Sequence, residues 1–173
     1  MSKIILIGFM GSGKTTIGKA LSQKCQYSLI DTDKYIEEQQ SRTISNIFEQ
    51  DGEEYFRVLE TNALKELLKS DEDMIISTGG GLAIKKENRE LLKEAGTTFY
   101  LNATPETIYN RVKGDNKRPL LQCEDPKKKI ISLMGERELY YIDASNKIID
   151  TDDKTIDEIA CEILEFMNNK DNN

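Results

Sequence analysis

The sequence predicts an α/β protein: a parallel sheet covered by helices on both faces. Three observations point there. Short apolar, β-branched runs alternate with helix-spaced runs along the whole chain. The first such run leads directly into Gly8-Phe9-Met10-Gly11-Ser12-Gly13-Lys14-Thr15, which fits G-x-x-x-x-G-K-[ST]. Two more loaded turns, Asp31-Thr32-Asp33 and Gly79-Gly80-Gly81, also follow directly after strand-like runs. In such folds ligands collect beyond the C-terminal ends of strands, so the three turns converge on one edge of the sheet.

Each element has its own signal. Lys3 to Ile7 reads as a buried strand, and Thr16 to Cys25 as a helix with Ile17, Ala20, Leu21 and Cys25 on one face. Tyr27 to Ile30, ending at Asp31, is a second strand. From Asp33 to Lys69 the pattern is helical, broken near Ser41-Arg42-Thr43 and at Asp51-Gly52, which makes two or three helices. Met74 to Ser77 is a third strand, and Leu82 to Ala95 a helix stopped by Gly96. A fourth strand spans Thr97 to Leu101. Thr104-Pro105 then opens a helix as N-cap and first-turn proline. Asp125-Pro126 opens another, reaching about Tyr141. Lys147 to Ile149 is the fifth strand. Thr155-x-x-Glu158 is a capping box for the last helix, with a tail from Asn168 expected to fray. Between them, about residues 113–124 carry no apolar period and form a long loop, a candidate lid holding Arg118.

Composition narrows the function. The 173 residues suit one domain, spanning 1–173, with a sizeable core. A net charge of −7 speaks against a nucleic-acid or anionic-membrane partner. The chain has no histidine, so histidine-based acid–base and nucleophilic triads are excluded. Cys25, Cys123 and Cys161 are odd in number and form no C-x-x-C pair, which rules out a zinc site or a disulfide framework. Cys25 and Cys161 are expected in the core as small apolar residues. No segment has the length of a membrane span or the form of a signal peptide, so the chain reads as cytoplasmic.

The chemistry follows from the loaded turns. Gly11, Ser12, Gly13, Lys14, Thr15 and Thr16 form a phosphate site: backbone N–H groups approach the anion and Lys14 adds a charge for the β- and γ-phosphates. The Thr15 hydroxyl is placed for Mg²⁺. Asp31 and Asp33, two apart at a strand end, would point the same way in an extended backbone. One suits the Mg²⁺ corner and the other a reacting hydroxyl; Asp33 also suits a helix N-cap. Gly79 to Gly81 can offer bare N–H groups to a small substrate. Arg57, Arg111, Arg118 and Arg137 are the candidates for clamping carboxylate or phosphate, each equally able to lie solvated on the surface. No N-K-x-D or D-x-x-G sequence occurs, so a GTPase switch is excluded.

In order and spacing, GFMGSGKTT, LIDTDKYIE, IFEQDGEEYFRVLE, ISTGGG, KRPLL and the Arg137-x-x-x-Tyr141 stretch leading to Ile149-Asp150-Thr151 resemble the shikimate kinase family over nearly the whole chain. The resemblance implies a three-layer fold of the P-loop, nucleoside-monophosphate kinase type, with a five-stranded parallel sheet, a lid and a substrate subdomain at about 33–62. It implies the transfer of phosphate from ATP to shikimate, giving shikimate 3-phosphate, with Mg²⁺, on the route to chorismate and the aromatic amino acids, by a monomer. It implies that Lys14 and the loop hold the ATP phosphates, Thr15 and Asp31 the Mg²⁺, and that Asp33 accepts the reacting hydroxyl. Arg57 and Arg137 would clamp the shikimate carboxylate, with backbone contacts from Gly79 to Gly81 and a ring wall of Phe48 and Phe56. Glu60 would steady Arg57, Arg118 would close onto the γ-phosphate, and Arg111 would lie near the adenine. Ser41 and Leu139 depart from the family, which often has glycine and proline there. Two other functions fit part of the pattern. One is a kinase of the same fold acting on gluconate or a nucleoside monophosphate. The other is a non-catalytic ATP-binding module, which would need the loop but not Asp33, Arg57 and Arg137 together.

Overall fold

The computed structural model describes residues 2–114 and 123–171. Its centre is a sheet of five parallel strands: β1 (Lys3–Ile7), β2 (Ser28–Asp31), β3 (Met74–Ser77), β4 (Thr97–Asn102) and β5 (Lys147–Asp150), in the order β2-β3-β1-β4-β5. Ile5 of β1 lies opposite Ile76 on one side and Thr98 on the other. The two-residue period of a strand sends alternate side chains to opposite faces. Ile5, Ile7, Ile76 and Tyr100 face one way; Ile4, Leu6, Ile75, Phe99 and Leu101 face the other.

Both faces are covered. On the first lie the C-terminal half of α3 (Ile44–Lys69), α4 (Lys86–Ala95), α5 (Pro105–Val112) and α6 (Pro126–Ala144), through Leu64, Leu67, Leu92, Ile108, Ile130 and Leu133. On the second lie α1 (Lys14–Cys25) and α7 (Ile156–Asp171), through Ile17, Leu21, Ile159 and Ile163. Outside these layers, α2 (Thr32–Gln40) and α3 up to Ala63 share a small core of Ile36, Ile47, Phe56 and Ala63.

The capping signals work as the sequence predicts. Thr104 accepts from Thr107 N at 3.3 Å ahead of Pro105, and Asp125 accepts from Lys128 N at 3.0 Å ahead of Pro126. Thr155 N donates to Glu158 Oε2 at 2.7 Å while Glu158 N donates to Thr155 Oγ1 at 3.2 Å, the reciprocal pair of a capping box. Both predicted helix breaks occur. Ser41 ends α2 in the left-handed region, and Gly52 (φ 83°, ψ 175°) interrupts α3.

Four expectations need correcting. Leu82 to Ala95 is not one helix. A 3₁₀ turn (Leu82–Ile84) is followed by extended Lys85 and then α4. Side chains take the carbonyls a continuous helix would use: Asn88 Nδ2 bonds Leu82 O, and Arg89 Nη1 bonds Ala83 O and Ile84 O at 2.9 and 2.8 Å. The helix expected to reach about Tyr141 runs on to Ala144, whose side chain is buried. The tail expected to fray from Asn168 is helical to Asp171, held by Lys170 Nζ on Thr97 Oγ1 at 2.9 Å. Cys25 and Cys161 are only half-buried. None of the described helices is long and apolar enough to cross a membrane.

Candidate active site

All three loaded turns open at the C-terminal edge of the sheet. After β1 the chain turns at Gly8 (φ 146°), where a Cβ would stand 2.7 Å from Leu101 O. It enters α1 through Gly13 (φ 97°), which offers no side chain to cap the helix. The first-turn N–H groups of α1 are thereby left to an anion. Lys14 is buried, and its ammonium donates to Gly8 O and Phe9 O at 2.9 and 3.0 Å, arching over the loop. This loop forms one wall of a cleft of about 510 Å³. Asp31, Asp33 and Ser77 to Gly80 supply a second wall, and Arg111, Thr151 and Lys154 a third. Arg111 Nη1 reaches Gly11 O at 3.3 Å, which keeps its guanidinium at the loop.

At the foot of the cleft, Thr15 Oγ1 donates to Asp31 Oδ2 at 3.0 Å, and Ser77 Oγ lies 3.4 Å from both. This all-oxygen corner suits a hard cation. Among the described residues no cluster of three acidic, Cys or His ligands exists. One carboxylate plus hydroxyls, completed by phosphate and water, is the sparse donor set that Mg²⁺ uses.

The other Asp31 oxygen accepts from Asp33 N and Lys34 N, at 3.2 and 3.4 Å. So Asp31, not Asp33, caps α2. The two are also not on one extended stretch: β2 ends at Asp31 and Asp33 sits in the first turn of α2. Capping by Asp31 leaves the Asp33 carboxylate to the cleft.

Asp33 Oδ1 is buried and has no hydrogen-bond partner among the described residues. Its pKa is pushed up to about 6 by burial first and by neighbouring Asp31 second, against the pull of Lys14 and Arg57. It is an acceptor without a donor, mostly ionised at neutral pH. Gly79 makes room for it: a Cβ there would come within 2.5 Å of Asp33 Oδ1 and 2.9 Å of Glu60 Oε1.

Beyond the glycines stands the substrate-side group. Glu60 is fully buried and takes Arg57 Nη1 on Oε2 at 2.6 Å. Burial pushes its carboxyl up to about 7 despite the arginine. Glu53 holds the other side of the Arg57 guanidinium at 2.7 Å. Gly81 has a negative φ of −101°, but a Cβ there would overlap Arg57 Nη1, with Cζ at 2.7 Å; the guanidinium therefore lies against the turn. Arg57 also rests over the Phe56 ring, 5.6 Å from its centroid. Phe56 is buried and Phe48 exposed, their centroids 4.9 Å apart. Arg137 of α6 lies over Phe9, 5.8 Å from its centroid.

The sequence-predicted residues thus fall into two adjoining groups. Lys14, Thr15, Asp31, Asp33, Gly79, Gly80 and Arg111 line the cleft. Arg57, Phe48, Phe56 and Gly81 gather around the turn beyond it, and Arg137 lies against Phe9 of the loop. Arg118 and most of the expected lid lie outside the described residues. The sequence reading missed Ser77, Thr78, Thr151 and Lys154 as cleft residues. The first three sit at or just past strand ends, so the rule that flagged Asp31 and Gly79 points to them as well.

Comparison with known proteins identifies the family. The family model described as Shikimate kinase matches residues 10–168. The chain is 42% identical over 164 residues to a shikimate kinase of Caldanaerobacter subterraneus subsp. tengcongensis, covering 95% of each. It is 44% identical over 168 residues to one of Bacillus cytotoxicus, covering 97% of this chain and 99% of the relative. Among solved structures, the shikimate kinase of Acinetobacter baumannii in complex with shikimate superposes with a TM-score of 0.91 at 35% identity, over 98% of this chain and 94% of that one. The chain belongs to the shikimate kinase family.

Proposed function

We propose that the described site transfers the γ-phosphoryl group of ATP to the 3-hydroxyl of shikimate, giving ADP and shikimate 3-phosphate. The observation that carries this reading is the buried, partnerless Asp33 oxygen, set between a phosphate loop and an arginine-bearing wall. A hydroxylated substrate supplies the donor that oxygen lacks. Leaving a buried acceptor unpaired costs about 1–3 kcal/mol, so the site favours molecules that present a hydroxyl there.

Shikimate is a small ring with three hydroxyls and one carboxylate. Arg57 and Arg137 offer forks that fit the carboxylate bidentately. Glu60 and Glu53 hold Arg57, and Phe48 with Phe56 wall the ring. The α1 N-terminus and Lys14 hold the phosphates, and Arg111 lies on the nucleotide side. Thr15 and Asp31, joined by Ser77, would hold Mg²⁺, which when bound neutralises phosphate charge. Transfer passes through a loose transition state, so positioning carries most of the catalysis. Asp33 orients the hydroxyl and takes its proton as the bond to phosphorus forms. The family resemblance implies that Arg118 closes on the γ-phosphate. The proposal keeps a single domain over 1–173 that acts as a monomer.

ADP release with shikimate, quinate, gluconate and nucleoside monophosphates side by side tests the reading. Turnover that depends on shikimate supports it. Preference for gluconate or a nucleotide contradicts the substrate, and ATP binding with no ADP release for any acceptor contradicts the enzyme.

A further inference from the structure

We propose that Tyr141 is a positioning residue for shikimate: its hydroxyl pins the Gly79–Gly81 turn to the helix that carries Arg137. The inference rests on the carboxylate-clamp reading above and adds a residue to it.

The Tyr141 side chain is buried, and its hydroxyl donates to Gly80 O at 2.5 Å, across 61 positions of sequence. Its ring stacks on Tyr100, centroids 5.1 Å apart and planes 29° from parallel. Burial and this stack hold the Tyr141 ring, and its oxygen meets both Gly80 O and the Arg137 side chain. Burial raises the phenol to about 12, so it remains a donor throughout the working pH range.

The bond joins the parts that must be in register. Arg137 is four residues before Tyr141 on α6, hence on the same side of the helix. Gly80 lies on the phosphate loop, where a Cβ would stand 3.3 Å from Met10 N. Its neighbours face Asp33 and Glu60 on one side and Arg57 on the other. Arg57 comes from α3 and Arg137 from α6, so no single element sets their separation. The turn that Arg57 lies on and the helix that bears Arg137 meet at Gly80 O and the Tyr141 hydroxyl. A carboxylate held by both guanidinia reads that spacing directly. A second fastening, Arg89 to Asp143 at 2.8 Å and to the carbonyls of Ala83 and Ile84, holds α6 to the segment after the glycines. It keeps the helix in place when the hydroxyl is removed, so Tyr141→Phe loosens only what that hydroxyl ties, the turn and the Arg137 side chain.

Steady-state kinetics of Tyr141→Phe, Tyr100→Phe, Arg137→Ala and the Tyr141→Phe/Arg137→Ala pair test this. Removing the hydroxyl frees the half-buried Gly80 carbonyl, and we expect the KM for shikimate to rise about tenfold, with the KM for ATP within roughly twofold. Tyr100→Phe removes a hydroxyl from the same ring stack and should leave both constants as they are. In the Arg137→Ala background the Tyr141 effect should shrink to less than about threefold, because residues acting as a unit are not additive. An unchanged shikimate KM in Tyr141→Phe, an equal rise for ATP, or the same rise in Tyr100→Phe overturns the proposal. An Arg137→Ala enzyme with wild-type shikimate KM overturns the clamp reading instead. Should Tyr141→Phe not fold, a 3-fluorotyrosine label at position 141 keeps the hydroxyl; its ¹⁹F resonance must shift with shikimate alone, and a resonance that does not respond overturns the proposal.

Discussion

Arg57 and Glu60 pair one turn apart on α3, Nη1 to Oε2 at 2.6 Å, at a carboxylate with no exposure to solvent. The other Glu60 oxygen, Oε1, is buried without a partner among the described residues and faces Gly79, as Asp33 Oδ1 does. Two carboxylates thus face the same glycine, one of them tightly paired with a guanidinium. The arrangement aims Arg57, and it makes stability depend on pH.

Burial raises Glu60 from 4.5 to about 7 in the folded chain. The folded state then holds its proton more tightly than the unfolded state does. Its contribution is full below about 4.5 and is lost as pH rises through about 7, by up to roughly 3 kcal/mol. Glu60→Gln cannot titrate. Denaturant unfolding at a series of pH values should show the stability of wild type minus that of Glu60→Gln falling between pH 4.5 and 7. A constant difference across that range would refute the burial argument.

Lys14→Ala should cost at least about 10²-fold in turnover, the scale of removing one preorganised donor from a charged transition state. Thr15→Ala should raise the Mg²⁺ concentration needed for half activity, and Ser77→Ala should raise it less. The check is a Mg²⁺ titration of initial rates. Near-wild-type transfer by Lys14→Ala would remove the phosphate-loop assignment.

Arg57→Ala and Arg137→Ala should each weaken shikimate binding at least roughly thirtyfold while sparing ATP, since truncating one partner of a buried charge pair costs about 2–5 kcal/mol. Calorimetry with each ligand separates the two. Unchanged shikimate affinity in both variants would end the carboxylate clamp.

Much of this was legible in the sequence, for identifiable reasons. The strands announce themselves through apolar runs because β1 and β3 are buried on both faces. Helix starts at Thr104, Asp125 and Thr155 are local chemistry, settled by a few neighbouring residues. The phosphate loop is local too. What failed depends on distant partners. The 3₁₀ turn at Leu82 exists because Asn88 and Arg89 reach back for its carbonyls. Helical periodicity does not distinguish that from a helix. The cap falls to Asp31 rather than Asp33 because α2 starts at Thr32, directly after the strand. The Tyr141–Gly80 bond spans 61 positions, which no local pattern carries.

The central claim is that Asp33 serves transfer to a shikimate hydroxyl rather than docking. Rapid-quench single-turnover measurement at saturating ATP and shikimate, with the phosphorylated position read by NMR, addresses it most directly. The account predicts phosphate on the 3-hydroxyl and a transfer rate about 10²–10⁴-fold lower in Asp33→Asn, with calorimetric affinity for ATP unchanged. Transfer by Asp33→Asn at the wild-type rate, or phosphate on another hydroxyl, would contradict it.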